Sequence, residues 1–77
     1  MIEDDRLAYA LLHEAQLRLD GCEDASSREH QLEQLERPLA LARSLMSGEA
    51  TEGQRQSARC ALDPATLQLF SIDPPRA

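Results

Sequence analysis

Residues 30–48, HQLEQLERPLALARSLMSG, decide the fold of this chain. Their apolar residues recur at alternating steps of three and four, which keeps them on one stripe of a helix: Leu32, Leu35, Leu39, Ala42 and Met46. Such a stripe has to be buried against another apolar surface. The sequence therefore predicts a helix over residues 27–47 that ends at Gly48.

A matching stripe precedes this helix and predicts a first helix from Glu3 to Asp20: Ala8, Leu11, Leu12, Ala15 and Leu19. Three acidic residues lie in its first turn, where carboxylates complement the positive end of the helix dipole and add solubility. Gly21 is suited to the left-handed position after the last turn. A short polar loop joins the two helices, so we expect an antiparallel helical hairpin over residues 1–48.

Two local signals bear on the second helix. Ser26 with Glu29 three residues later has the spacing of a capping box, which predicts that Ser26 caps the helix. Pro38 lies inside the apolar ladder, where a proline removes one backbone hydrogen bond and pushes against the carbonyl of Gln34. Because the apolar spacing continues on both sides of Pro38, we expect one kinked helix rather than two separate helices.

The composition changes after Gly48. The segment that follows has little large apolar surface, and although Thr51 with Gln54 is suited to cap a short third helix, we expect this segment to be loosely held. Asp63 followed by Pro64 predicts a last short helix over residues 64–70 that presents three apolar side chains: Leu67, Leu69 and Phe70.

These signals divide the chain into a hairpin (1–48), a short helical extension (49–70) and a flexible tail (71–77) whose two adjacent prolines cannot continue a helix. The 77 residues include thirteen leucines and eleven alanines but no valine and two isoleucines. Leucine and alanine are strong helix formers, whereas strands are rich in β-branched residues. The fold class predicted is therefore all-α.

The net charge of −6 argues against several partners. The eight basic residues are all arginine and are scattered singly, so no positive stripe is available for nucleic acid or for an anionic membrane. We interpret the absence of lysine as the base composition of a GC-rich bacterial genome. No apolar run is long enough to span a membrane and the acidic start is unlike a signal peptide, so we expect a cytoplasmic protein with reduced Cys22 and Cys60.

The residues that carry catalysis or bind metals are sparse and separated: His13, Cys22, His30 and Cys60. They lack the short spacings of zinc ligands, and the acidic start lacks the glycine turn of a calcium loop. A two-stripe hairpin also offers no cleft for a substrate. We therefore expect no catalytic site, no cofactor, no metal and no small-molecule substrate, and we interpret both histidines as surface residues.

Four apolar residues fall off the two stripes: Tyr9, Leu17, Leu41 and Leu45. A bare hairpin would leave them in water. Either the C-terminal segment folds back and covers them, or a partner protein does. The second interpretation makes these four residues the candidate partner-binding site.

Several stretches between Leu7 and Gly48 resemble the small co-chaperones of the type III secretion needle subunit. They are an amphipathic first helix, a Gly-Asp type loop (20–25), a Gln- and Glu-rich start to the second helix (30–36) and an Ala- and Leu-rich end (39–46). The resemblance implies a protein that performs no chemistry and stabilises a larger helical-repeat chaperone, with the four off-stripe residues at the interface.

The function predicted is thus a small, non-enzymatic bacterial protein that binds another helical protein, or a second copy of itself, through an apolar helix face. One alternative is an acidic inhibitor or antitoxin-like protein, phage-borne or not, that blocks a basic site on its target. Another is an adaptor made of two hairpins that form a homodimeric four-helix bundle.

Overall fold

The computed structural model describes residues 3–75, and over these residues the chain is all-helical, with five helices and no strand. The helices are α1 (Glu3–Asp20), α2 (Ala25–Gln34), α3 (Glu36–Ser47), α4 (Glu52–Ala61) and α5 (Pro64–Leu69). The all-α prediction is confirmed, and α1 has the predicted bounds. The last two residues of the predicted tail, 76 and 77, lie outside the described residues.

Helix α1 is the common packing partner of the other helices. It packs mainly against α3 and is also contacted by α2, α4 and α5. Because neighbours cover it from more than one side, its buried residues spread over a wide arc: Leu7, Ala8, Ala10, Leu11 and Ala15. Leu12, which the sequence placed in the buried stripe, lies at the exposed edge of this arc.

The second predicted helix is two helices, so the expectation of one kinked helix is wrong. α2 ends and α3 begins at Leu35, three residues before Pro38. The break moves Pro38 into the first turn of α3, where a backbone N–H has no partner within the helix and its absence costs little. Leu35 itself is buried, with φ −89° and ψ −3°.

The helix ends follow the predicted signals in part. Asp24, not Ser26, caps α2: its carboxylate accepts a hydrogen bond from the Ser27 amide at 2.6 Å. Gly48 has the left-handed conformation after α3, with φ 80°. Gly21 does not: its amide donates to the Leu17 carbonyl, which continues the helical pattern of α1 by one residue.

The C-terminal third supplies five members of the hydrophobic core: Ala50, Ala58, Leu62, Leu67 and Ile72. The predicted capping box of Thr51 and Gln54 is present at the start of α4. After α5, Ser71 adopts φ 56° and the Ile72 amide donates to the Leu67 carbonyl at 2.8 Å. This turn directs Ile72 back onto the core, so residues 50–72 pack more closely than their composition suggests.

Candidate protein-binding surface

A wide, largely apolar surface is left open along the boundary between α1 and α3. We call it the open groove; it has a volume of about 580 Å³ and is lined by Leu12, Leu39, Ala42, Arg43, Met46 and Ser47. Its three large apolar side chains are substantially exposed: Leu12 by 38%, Leu39 by 37% and Met46 by 53%. An open, largely apolar groove between two helices is the kind of surface that receives a helix of another protein.

The position of the groove follows from the packing of α3. This helix buries Ala42 and Leu45, so its inward face is centred between them. Leu39 and Met46 are seven residues apart and share one flank of that inward face. They meet Leu12 on the flank of α1, and α4 and α5 cover other parts of the core, so this side stays open.

The four predicted site residues are not brought together. Leu45 is 1% exposed and belongs to the core, so the prediction that it contacts a partner is wrong. Leu41 is partly buried and packs against the same core. Leu41 and Leu45 are apolar because the C-terminal segment folds back onto the core that they contact. That segment supplies Leu62, Leu67 and Ile72 to the core.

Tyr9 and Leu17 are exposed, by 45% and 56%, and lie roughly 80° apart around α1. At roughly 100° per residue, Tyr9 lies about 60° from Leu12 and therefore borders the side of α1 that carries the open groove. Leu17 instead lines a separate depression of about 230 Å³ with Asp63 and Thr66. Of the four predicted residues, only Tyr9 is a neighbour of the open groove.

Sequence reasoning missed Leu12, Leu39 and Met46 as surface residues because it assigned them to the buried stripes. On the α3 side, the buried residues are Ala42 and Leu45, so Leu39 and Met46 lie on the flank of the inward face rather than at its centre. Leu45, which shares the inward face with Ala42, was the available signal, because it moves the centre of the apolar side away from Leu39 and Met46.

The acidic start of α1 holds α4 in place. The Nε and Nη2 groups of Arg55 donate hydrogen bonds to the two carboxylate oxygens of Asp4, at 2.7 Å and 3.2 Å. Glu3 forms an ion pair with Arg59. The hydrogen bonds that Arg55 donates to Asp4 and, with a smaller effect, to Glu52 raise the pKa of Arg55 above its ordinary value. These carboxylates therefore do more than complement the helix dipole.

The histidines and cysteines do not converge. The His13 ring meets the edge of Phe70 with centroids 5.6 Å apart, His30 lies beside Gln34, and the Cys22 thiol donates to the Arg18 carbonyl. Cys60 is exposed at an apolar pocket of about 500 Å³ between α4, α5 and the residues that follow. Over residues 3–75, no group of three His, Cys, Asp or Glu is placed to hold a metal ion.

Comparisons with protein-family models, with curated proteins and with solved structures found no match to this chain. None of the helices within residues 3–75 has the length and apolar character needed to cross a membrane. The open groove therefore has to be interpreted from its own shape and chemistry.

Proposed function

We propose that this chain is a non-enzymatic binding protein that receives an amphipathic helix of a partner protein in the open groove. Leu12, Leu39 and Met46 carry the proposal, because they place three large apolar side chains along one boundary between two helices. In this proposal α1 and α3 are the two sides of an antiparallel hairpin, and the incoming helix adds a third side.

The covered residues would supply most of the affinity. Full burial of one leucine-sized side chain contributes about 1.5 to 3 kcal/mol. Leu39 and Met46 are 37% and 53% exposed, so covering what remains of both would change the dissociation constant roughly ten- to a hundredfold. A helical-repeat chaperone of the kind that the resemblance implies would offer such a helix and would be stabilised by the contact.

The test uses the double variant Leu39→Asp with Met46→Asp, and Leu69→Asp as its matched control. Leu69 is another exposed leucine, 65% exposed on α5, outside the groove. A protein captured from the native host by wild type and by the control is purified and titrated against all three chains. We expect the double variant to bind at least about tenfold more weakly, with its circular dichroism unchanged.

Three results would overturn the proposal. Equal affinities for wild type and the double variant would remove the open groove from the interface. If wild type and the double variant bind with the same affinity, and that affinity falls steeply as the salt concentration rises, the acidic inhibitor is favoured. A dimer of the chain alone in sedimentation equilibrium, dissociated by the double variant, would assign the groove to a second copy.

A further inference from the structure

Helix α2 is the least supported element of the fold. All ten of its residues are described and none is buried; Gln31 is of intermediate exposure, Leu32 is 49% exposed, and all ten except Gln31 are exposed. Isolated helices shorter than about 12 to 15 residues are marginal in water, and packing normally supplies the missing stability. α2 has its Asp24 cap, its continuation into Leu35 and contacts with α1, but it buries none of its own side chains.

The apolar row of the open groove continues onto α2. Leu32, Leu39 and Met46 are spaced by seven residues, and Leu32 is 49% exposed. Leu35 keeps right-handed helical dihedrals at the break; its amide donates to Gln31 and its carbonyl accepts from Leu39. The rotation of the helix is therefore nearly preserved through the break, and Leu32 extends the row beyond the groove.

The row has an acidic border on one side where it runs along α2, and Arg28 lies roughly 40° from Leu32 on the other side. Glu29 and Glu33 lie on α2, and Glu36 is the first residue of α3; all three are exposed. They are spaced by four and three residues, and because the rotation is nearly preserved through the break they share one side of the row. At roughly 100° per residue they lie about 40 to 100° from Leu32. A helix lying on the row would meet these carboxylates along its own flank, where basic side chains complement them and acidic side chains are repelled.

We infer that the partner helix extends over α2, covers Leu32 as well as the open groove, and carries lysine or arginine facing Glu29, Glu33 and Glu36. The inference rests on the proposed function and names the chemistry of the occupant. It also accounts for the bare surface of α2, because the partner supplies the packing that the chain itself does not.

Two synthetic helical peptides test the inference. Both are about 21 residues long, carry one apolar stripe with a seven-residue repeat, and are checked to be monomeric; one has lysine beside the stripe and the other glutamate. We expect wild type to bind the lysine peptide about tenfold or more tightly than the glutamate peptide. Amide exchange in α2 should slow on binding the lysine peptide.

Two triple variants separate the border from net charge. Glu29→Gln, Glu33→Gln and Glu36→Gln should remove most of the preference for lysine. Glu23→Gln, Asp63→Asn and Asp73→Asn change the net charge equally at exposed positions that do not line the groove, and should keep the preference.

The outcomes distinguish the inference from the function on which it rests. If both peptides bind wild type equally and the Leu39→Asp, Met46→Asp variant loses both, the helix-binding function stands and the basic partner is wrong. If both triple variants lose the preference alike, net charge explains it and the inference is overturned. If neither peptide binds wild type, the helix-binding function itself is contradicted.

Discussion

Helices α2 and α4 are both ten residues long and both are poor in large apolar side chains, yet they are anchored very differently. α4 buries Ala58 completely and is tied to α1 by two arginine–carboxylate pairs. α2 buries nothing and holds the only leucine of the two helices, Leu32, half exposed. In this small fold, a helix is fixed by how it fits α1 rather than by how much leucine it carries.

The fit of α4 has two parts. Ala58, with no exposed surface, lets the helix approach the core closely. Arg55 lies three residues before Ala58 and Arg59 lies one residue after it. Both arginines reach the carboxylates at the start of α1. α2 has neither a small buried residue nor an ion pair of this kind among its described contacts. The predictions below test that difference, from the largest effect to the smallest.

Ala58→Leu should cause the largest loss. The added methyl groups have no space at a completely buried position, and overpacking of this kind costs about 1 to 3 kcal/mol. Ala25→Leu, the matched change on exposed α2, should stay within about 0.5 kcal/mol of wild type. Urea denaturation of the two variants measures both values. Equal losses would mean that α2 and α4 are anchored alike.

Thr51→Ala should lower the free energy of unfolding by about 1 kcal/mol, the usual cost of losing an N-cap. The hydroxyl of Thr51 accepts from the Gln54 amide at 3.2 Å, and the Gln54 side chain accepts from the Thr51 amide at 2.8 Å. Because α4 is part of the core, the loss should appear in the global urea transition. Thr51→Ser, which keeps the hydroxyl, is the control and should unfold close to wild type.

Asp4→Asn should destabilise the chain by a smaller amount that depends on salt. It removes the charge that pairs with Arg55; the Arg55 and Asp4 side chains are 29% and 12% exposed, so solvent and ions reach the pair in part. We expect the urea midpoint to fall at low salt and the difference from wild type to shrink at about 1 M sodium chloride. Asp73→Asn, exposed near the end of the described chain, should leave the midpoint unchanged. A salt-independent loss would show that Asp4 acts through packing.

The helices themselves were predictable from local signals, because spacing and caps are local. The bounds of α1, the capping box at Thr51 and the proline that opens α5 all match the sequence prediction. The anchoring of α4 was not predictable. Its contacts join residues about fifty positions apart, such as Asp4 and Arg55, and nothing in the spacing of either residue identifies the other.

The candidate site was harder to predict for a related reason. Apolar periodicity shows which side of a helix avoids water, but not how much of that side a neighbour covers. Leu45 and Met46 are adjacent, and the sequence assigned the first to a partner and the second to the core, whereas the structure buries the first and exposes the second. The return of the C-terminal segment decides between them, and it depends on tertiary packing.

Asp24→Ala should have the smallest effect on the stability of the whole chain, and its effect should be confined to α2. Asp24 holds α2 through its bond to the Ser27 amide, and that bond, followed by the Ser27 side chain, lowers the pKa of the Asp24 carboxyl. Since α2 buries nothing, losing the cap should speed amide exchange in α2 without moving the urea midpoint. Ser26→Ala, at the cap position expected from sequence, should change neither.

The pH dependence of this effect has a definite sign. A lowered folded-state pKa means that the cap stabilises α2 when the carboxyl is ionised, above the ordinary aspartate value of about 3.9. The stabilisation is lost as the pH falls through the lower folded-state value. The exchange difference between wild type and Asp24→Ala should therefore be full at pH 6 and should disappear in strong acid. If Ser26→Ala, and not Asp24→Ala, loosens α2, the cap belongs to the serine and the account of α2 given above is wrong.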